Sequence, residues 1–178
     1  VMLTGNPVRA EIMNGDQTLA KVLFGFDITK PIILVMGGSL GARALNRLIL
    51  KMLPELLENG VQILHLIGKE NTEEVVRLAQ EAGVTETTTT YRPVAFLDAE
   101  QMGVAYAAAT LVISRGGAGS ITELAATRKP AILVPLPTAA NDEQRLNAYE
   151  VASTGGALVV EEANVGEHLF TDQILNLL

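Results

Sequence analysis

At 178 residues, 48% hydrophobic and only 19% charged, the chain is read as a single globular domain with enough apolar surface for a real core, and disorder is excluded as its main state. A net charge of -7 with no lysine or arginine run excludes a nucleic-acid footprint and gives this segment no attraction to an anionic membrane. The absence of cysteine removes disulfides and thiolate metal sites and is compatible with a reducing compartment, and no apolar stretch is long enough to span a bilayer.

The segment 1–9 reads as a linker without a signal-peptide pattern, and 10–178 as the folded unit. The start at Val1, with the apolar pattern still running at Leu178, suggests a domain excised from a longer protein. The run Ile32 to Met36 is the first strand. Leu45, Leu48, Ile49, Met52, Leu53 and Leu56 then recur at the spacing of one helical face. Val61 to Ile67 reads as a strand, Thr72 to Ala82 as a helix closed by Gly83, and Thr87 to Val94 as a further strand whose Thr tract is an edge or a loop. A helix around Gln101 to Ala109, strand Leu111 to Ser114, helix Ser120 to Thr127 and strand Ala131 to Pro135 follow. A helix from Asp142 to Ser153, a strand from Ala157 to Val160 and a last helix from Thr171 complete the order. Strands uninterrupted by polar residues suit a parallel sheet covered on both faces, so the fold class is α/β, a doubly wound parallel sheet.

Two glycine-rich segments punctuate this array, each between a strand and a helix. The first is Gly37-Gly38-Ser39-Leu40-Gly41-Ala42 and the second Arg115-Gly116-Gly117-Ala118-Gly119-Ser120. Glycine lets backbone approach a ligand, and the first turn of a helix offers unpartnered amides with a partial positive charge, so paired turns of this kind point to a nucleotide diphosphate. The alternative is that the glycines only make tight turns. A dinucleotide oxidoreductase fits poorly, because the first loop has adjacent glycines rather than Gly-x-Gly-x-x-Gly and Leu66-Ile67-Gly68 stands where a ribose-binding carboxylate would end the next strand. No Gly-Lys-Ser/Thr follows either loop, which excludes a P-loop.

A specific resemblance rests on Gly5-Asn6-Pro7-Val8-Arg9, on Gly37 to Arg43 with Leu45-Asn46, and on Ser114-Arg115-Gly116-Gly117-Ala118 leading to Glu123-Leu124-Ala125-Ala126. Lys129-Pro130-Ala131-Ile132-Leu133-Val134-Pro135 and Gln144 with Asn147-Ala148 extend it. In this order, over nearly the whole chain, the set resembles the C-terminal half of the MurG family, UDP-N-acetylglucosamine transferases that add the second sugar to the lipid-linked peptidoglycan precursor. The resemblance implies a GT-B architecture, two Rossmann-like domains facing a cleft, of which this is the donor-binding one.

The resemblance assigns Glu123 to both ribose hydroxyls, Ala118, Gly119 and Ser120 to the diphosphate through their amides, and Gly38 and Ser39 to it from the opposite loop. Arg9 is implied to approach the nucleotide at the domain junction, Leu97 to contact uracil through main-chain groups, and the face carrying Gln144 and Asn147 to contact N-acetylglucosamine. Each has a plainer alternative. Glu123 is also a first-turn acid for its helix, Ser120 also a helix cap, Arg9 also a solvated linker residue, and Gln144 and Asn147 also solvated amides. Glu143 departs from the family pattern at one sugar contact, and Gly116 and Gly119 replace larger residues, which makes that loop more flexible. His65 is read as structural, and His168 has no partner nearby in the sequence.

Two isolated histidines make no metal site and no Asp-x-Asp exists to hold a divalent ion, so metal independence and no cofactor are expected. The reaction implied is inverting transfer, with loop amides and helix N-termini stabilising the departing diphosphate. No residue here is a convincing general base. The resemblance places that base, the lipid-linked muramyl-pentapeptide acceptor site and the membrane-facing surface in an N-terminal domain, at the cytoplasmic face of the bacterial plasma membrane, and makes this domain soluble by itself. The competing readings are another UDP-sugar-binding GT-B transferase, an epimerase, or a non-catalytic nucleotide-binding module.

Overall fold

Strand β1, Ile32–Met36, is buried at every position and sits at the centre of the sheet. The structure, a computed structural model, describes residues 5–38, 42–164 and 166–178. Parallel strands β2 (Gln62–Leu66), β3 (Tyr91–Val94), β4 (Leu111–Ser114), β5 (Ala131–Leu133) and β6 (Ala157–Val159) complete a six-stranded sheet of order β3-β2-β1-β4-β5-β6. The order reverses between β1 and β4, and a crevice opens at such a point beyond the carboxyl ends of the strands.

Both faces of the sheet are covered, which is why β1 and β4 are apolar at nearly every position. On one side, Ile33 and Val35 meet Leu45, Ile49, Leu53 and Leu56 of α3 (Arg43–Glu58), Val75 of α4 (Thr72–Glu81), and Phe170 and Ile174 of α8 (Glu167–Leu177). On the other, Ile32, Leu34 and Met36 meet Ile12 of α1 (Ala10–Met13), Phe24 of α2 (Ala20–Phe24), Tyr106 of α5 (Ala99–Ala108), Leu124 of α6 (Ala118–Thr127) and Ala148 of α7 (Glu143–Ser153). Each of the Val, Leu, Ile, Phe and Met side chains, fully buried, contributes about 1.5–3 kcal/mol.

The doubly wound parallel sheet is as expected, and the departures are at element ends. Helix α6 begins at Ala118, not Ser120, so Ser120 is its third residue rather than its cap; Gly117 holds the cap position. Gly119 is accordingly helical and not part of a flexible loop. Helix α5 begins at Ala99 because Asp98 and Gln101 form a reciprocal capping box, which spends Asp98 on structure. Helix α8 begins at Glu167, four residues before Thr171, and β3 is confined to Tyr91–Val94. The short helices α1 and α2 had no periodicity long enough to announce them.

Helix α1 lies on α5 at backbone distance. A Cβ at Gly103 would stand 2.2 Å from the Glu11 carbonyl oxygen, and one at Gly15 would stand 2.0 Å from the Gly103 oxygen. Only glycines permit that approach, and it brings Arg9, the residue capping α1, over the carboxyl end of the sheet.

Candidate functional site

Strand register determines which loops meet. Met36 pairs with Leu66 on one side and Ser114 on the other, and Leu66 pairs with Val94. The chain therefore leaves β3, β2, β1 and β4 in one row, and a cleft of about 510 Å³ opens along it. Arg9, Gly38, Leu97, Ser120 and Glu123, all expected from the sequence, line this one cleft. Met36, Leu66 and Met102 give it apolar wall, the exposed Phe96 stands at its rim, and Lys69 Nζ lies 5.9 Å from that ring.

Helix α6 lines the cleft with Ser120 of its first turn, and Ala118 and Gly119 do not line it. Its first intrahelical bond is donated by the Ile121 amide to the Gly117 carbonyl at 3.0 Å, so the amides of Ala118, Gly119 and Ser120 have no intrahelical acceptor. No side chain caps this end. Gly116, just before it, has φ +81°, and a Cβ there would lie 3.1 Å from the Gln144 carbonyl oxygen; conformation and close approach both call for glycine. Ser39, with Leu40 and Gly41, lies outside the described residues.

Glu123 is held from two sides. Arg9 Nη2 donates to its Oε1 at 3.0 Å and the Tyr106 hydroxyl donates to its Oε2 at 3.0 Å. Arg9 is thus paired with Glu123 while its side chain stays 53% exposed. Burial first, then the Glu123 charge, pushes the Tyr106 phenol up, so it remains a donor. Tyr106 was missed by sequence reasoning: one tyrosine in an alanine-rich helix carries no motif. Phe96, Lys69 and Glu70 were missed as well, since only strand register brings their loops to the cleft.

Gln144 and Asn147 do not line this cleft. Gln144 Oε1 accepts from the Leu136 amide at 3.0 Å, and Asn147 Nδ2 donates to the Gly116 carbonyl at 3.2 Å. Neither is merely solvated: α7 is pinned by them to the segment after β5 and to the second glycine loop. Just before α7, Asn141 and Asp142 hold left-handed conformations at φ 52° and 57°. Asn147 also lines a separate groove of about 660 Å³ between α6 and α7, where Lys129 Nζ already donates to the Ala107 and Ala109 carbonyls at 3.0 and 2.9 Å.

Between the sheet and α3, on the face opposite the cleft's apolar wall, runs a buried polar chain. The Tyr91 hydroxyl donates to His65 Nδ1 at 3.0 Å, His65 Nε2 donates to Asn46 Oδ1 at 3.1 Å, and Asn46 Nδ2 donates to the Ile67 carbonyl at 3.0 Å. Asn71 Nδ2 donates to the same carbonyl at 2.8 Å. The chain fixes the tautomer, and burial lowers the imidazole to about 3. His65 is structural, as expected, and it fastens the backbone entering Gly68, which lines the cleft. Arg115, also buried, donates through Nη1 to the Val134 carbonyl at 3.2 Å and pairs with Glu162.

Among the described residues no three His, Asp or Glu side chains are grouped to hold a metal ion, and no helix is long and apolar enough to cross a membrane.

The profile of the glycosyltransferase family 28 C-terminal domain matches residues 32–178. A UDP-N-acetylglucosamine--N-acetylmuramyl-(pentapeptide) pyrophosphoryl-undecaprenol N-acetylglucosamine transferase of Streptomyces coelicolor is 40% identical over 178 residues, covering 98% of this chain and 46% of the relative. The Mycobacterium tuberculosis protein of that name is 41% identical over 180 residues, covering 99% and 42%. The crystal structure of Acinetobacter baumannii MurG superposes with a TM-score of 0.74 at 29% identity, over 99% of this chain and 47% of that one. The chain thus spans about half the length of the curated relatives it matches.

Proposed function

The chain belongs to the glycosyltransferase family 28 C-terminal domain family, and on that premise we propose that it is the donor-binding half of an inverting transferase in peptidoglycan synthesis. The resemblance to the C-terminal half of MurG read from the motifs is borne out by these matches. In this reading the donor is UDP-N-acetylglucosamine and the acceptor is the lipid-linked N-acetylmuramyl-pentapeptide, bound by a further domain at the cytoplasmic face of the membrane. Residues 1–9 act as the linker between the domains and 10–178 as the nucleotide-binding unit.

One observation carries the reading: a single cleft at the switch point is lined by a carboxylate, Glu123, and by Ser120 of the uncapped first turn of the same helix, α6. A carboxylate accepts hydrogen bonds from a vicinal diol, and amides at a helix start receive an anion. Uridine diphosphate presents both groups. Ribose sits at Glu123, displacing Arg9 from Oε1. The pyrophosphate lies across the amides of Ala118, Gly119 and Ser120, with Gly38 facing it, and uracil reaches the backbone of Leu97; Ser39 is assigned to the diphosphate by the resemblance alone. The sugar extends toward the free ends of Gln144 and Asn147.

In catalysis an acceptor hydroxyl attacks the anomeric carbon from the face opposite UDP, the glycosidic bond to the diphosphate breaks, and the acceptor proton passes to a base outside this chain. The part supplied here is stabilisation of charge on the departing diphosphate. Removing one preorganised donor of this kind raises a barrier by about 2.7–4 kcal/mol.

Isothermal calorimetry tests the reading. UDP and UDP-N-acetylglucosamine should bind saturably with one site per chain. Glu123→Ala should lose at least about tenfold in affinity, as expected for hydrogen bonds to a charged group. Equal affinities for wild type and variant would remove Glu123 from the site, and no heat with either ligand would overturn the assignment.

A further inference from the structure

We infer that Tyr106 is a positioning residue, which holds the Glu123 carboxylate in the orientation needed to accept a ribose diol. The inference rests on the reading of the cleft given above and adds a residue to it.

Glu123 projects from α6, and the hydrogen bonds to its carboxylate come from Arg9 and Tyr106 rather than from its own helix, so the last torsion is set from outside. Tyr106 supplies that constraint from the neighbouring helix. Its ring is fully buried among the residues packed under α5 and α6, and only its hydroxyl reaches the site, 3.0 Å from Oε2. A rigid, buried phenol cannot follow the carboxylate if it turns, so the bond sets the carboxylate plane and directs Oε1 to the cleft. The occupant of that outward position here is the Arg9 guanidinium, on a side chain 53% exposed and free to withdraw. Exchange of Arg9 for ribose then requires no movement of Glu123. Without the hydroxyl, the carboxylate is free to turn both oxygens toward Arg9, the geometry in which guanidinium binds carboxylate best, and to compete with the diol.

Tyr106→Phe tests this, because it keeps the buried ring and leaves the partly exposed Glu123 to be rehydrated. Binding of UDP and of 2′,3′-dideoxy-UDP, which lacks both ribose hydroxyls, is measured by calorimetry on wild type and variant. Wild type should prefer UDP. The variant should bind UDP about tenfold more weakly while its affinity for the dideoxy nucleotide stays unchanged, so that the preference collapses. Damage to the fold would weaken both ligands together. A variant that keeps the wild-type preference, or weakens both ligands equally, overturns this inference alone. A wild type that does not prefer UDP overturns the reading of Glu123 as the ribose ligand, and this inference with it.

Discussion

Lowering the pH from about 7.5 to about 5 should destabilise the fold by about 2 kcal/mol through His65 alone. In the native state burial holds this imidazole at about 3, against an ordinary value of 6.5. Between those two values the unfolded chain binds a proton that the native chain refuses. Stability therefore rises with pH across that window: it is complete above the unfolded value and is lost progressively as pH falls toward the folded one. From 6.5 down to about 5 is about 1.5 pKa units, and at about 1.36 kcal/mol per unit the loss is about 2 kcal/mol. Asp16, Asp27 and Glu74 are lowered by hydrogen bonds from Thr18, Thr29 and Arg47 respectively. Their contributions are lost as pH falls from the ordinary values of 3.8 and 4.5, chiefly below the window. Urea unfolding at constant ionic strength at the two pH values gives the difference, with His65→Gln as the comparator from which the His65 part of the slope is missing. Equal wild-type stability at both pH values would refute the reasoning. So would an NMR titration in which the His65 ring protonates near the ordinary histidine value.

Gly103→Ala should lower stability by about 1–3 kcal/mol in thermal unfolding, because its methyl group would meet the Glu11 carbonyl at 2.2 Å. If α1 shifts to make room, Arg9 also leaves Glu123, and the change in UDP affinity reports it. Gly116→Ala should cost about 1–2 kcal/mol for the left-handed conformation alone and should weaken UDP binding by displacing the loop before Ala118; an unchanged melting temperature would contradict the strain.

The sheet was legible because parallel strands covered on both faces are apolar throughout, and β4 was bounded to the residue for that reason. The ends of helices were less so. Helix α6 starts two residues before Ser120 since its cap is Gly117, a residue with no side chain to advertise a cap. Helix α5 starts at Ala99 through a capping box that is written in the sequence as Asp98 and Gln101. Glu123 and Arg9 were found through motifs far apart in the chain; that they touch depends on the Gly15–Gly103 approach of α1 to α5, a tertiary fact. Tyr106 was invisible for a related reason: its ring satisfies the core pattern, and only its hydroxyl belongs to the site. Gln144 and Asn147 share a helical face as their spacing required, yet their first partners are backbone groups of this chain.

For the diphosphate proposed as its ligand, a chain of net charge -7 is an unexpected host until the charges are placed. Helices α4, α5, α7 and α8 each carry a glutamate in the first turn, Glu73 and Glu74, Glu100, Glu143 and Glu167, which offsets the partial positive charge of the helix start. Helices α3 and α6 carry none. These are the two that follow the glycine-rich segments, on strands β1 and β4 at the reversal of sheet order. The acids are thus distributed so that the only long helices whose N-terminal dipoles remain uncompensated by a first-turn acid, among the described residues, are the two converging on the switch point. An anion there meets oriented amides rather than a cluster of lysines, and Glu123, one turn further along α6, is far enough from the first turn to leave that field intact while still within reach of a pentose. The arrangement favours a ligand with a negative pyrophosphate at one end of a neutral diol, a narrower specification than a basic patch would give.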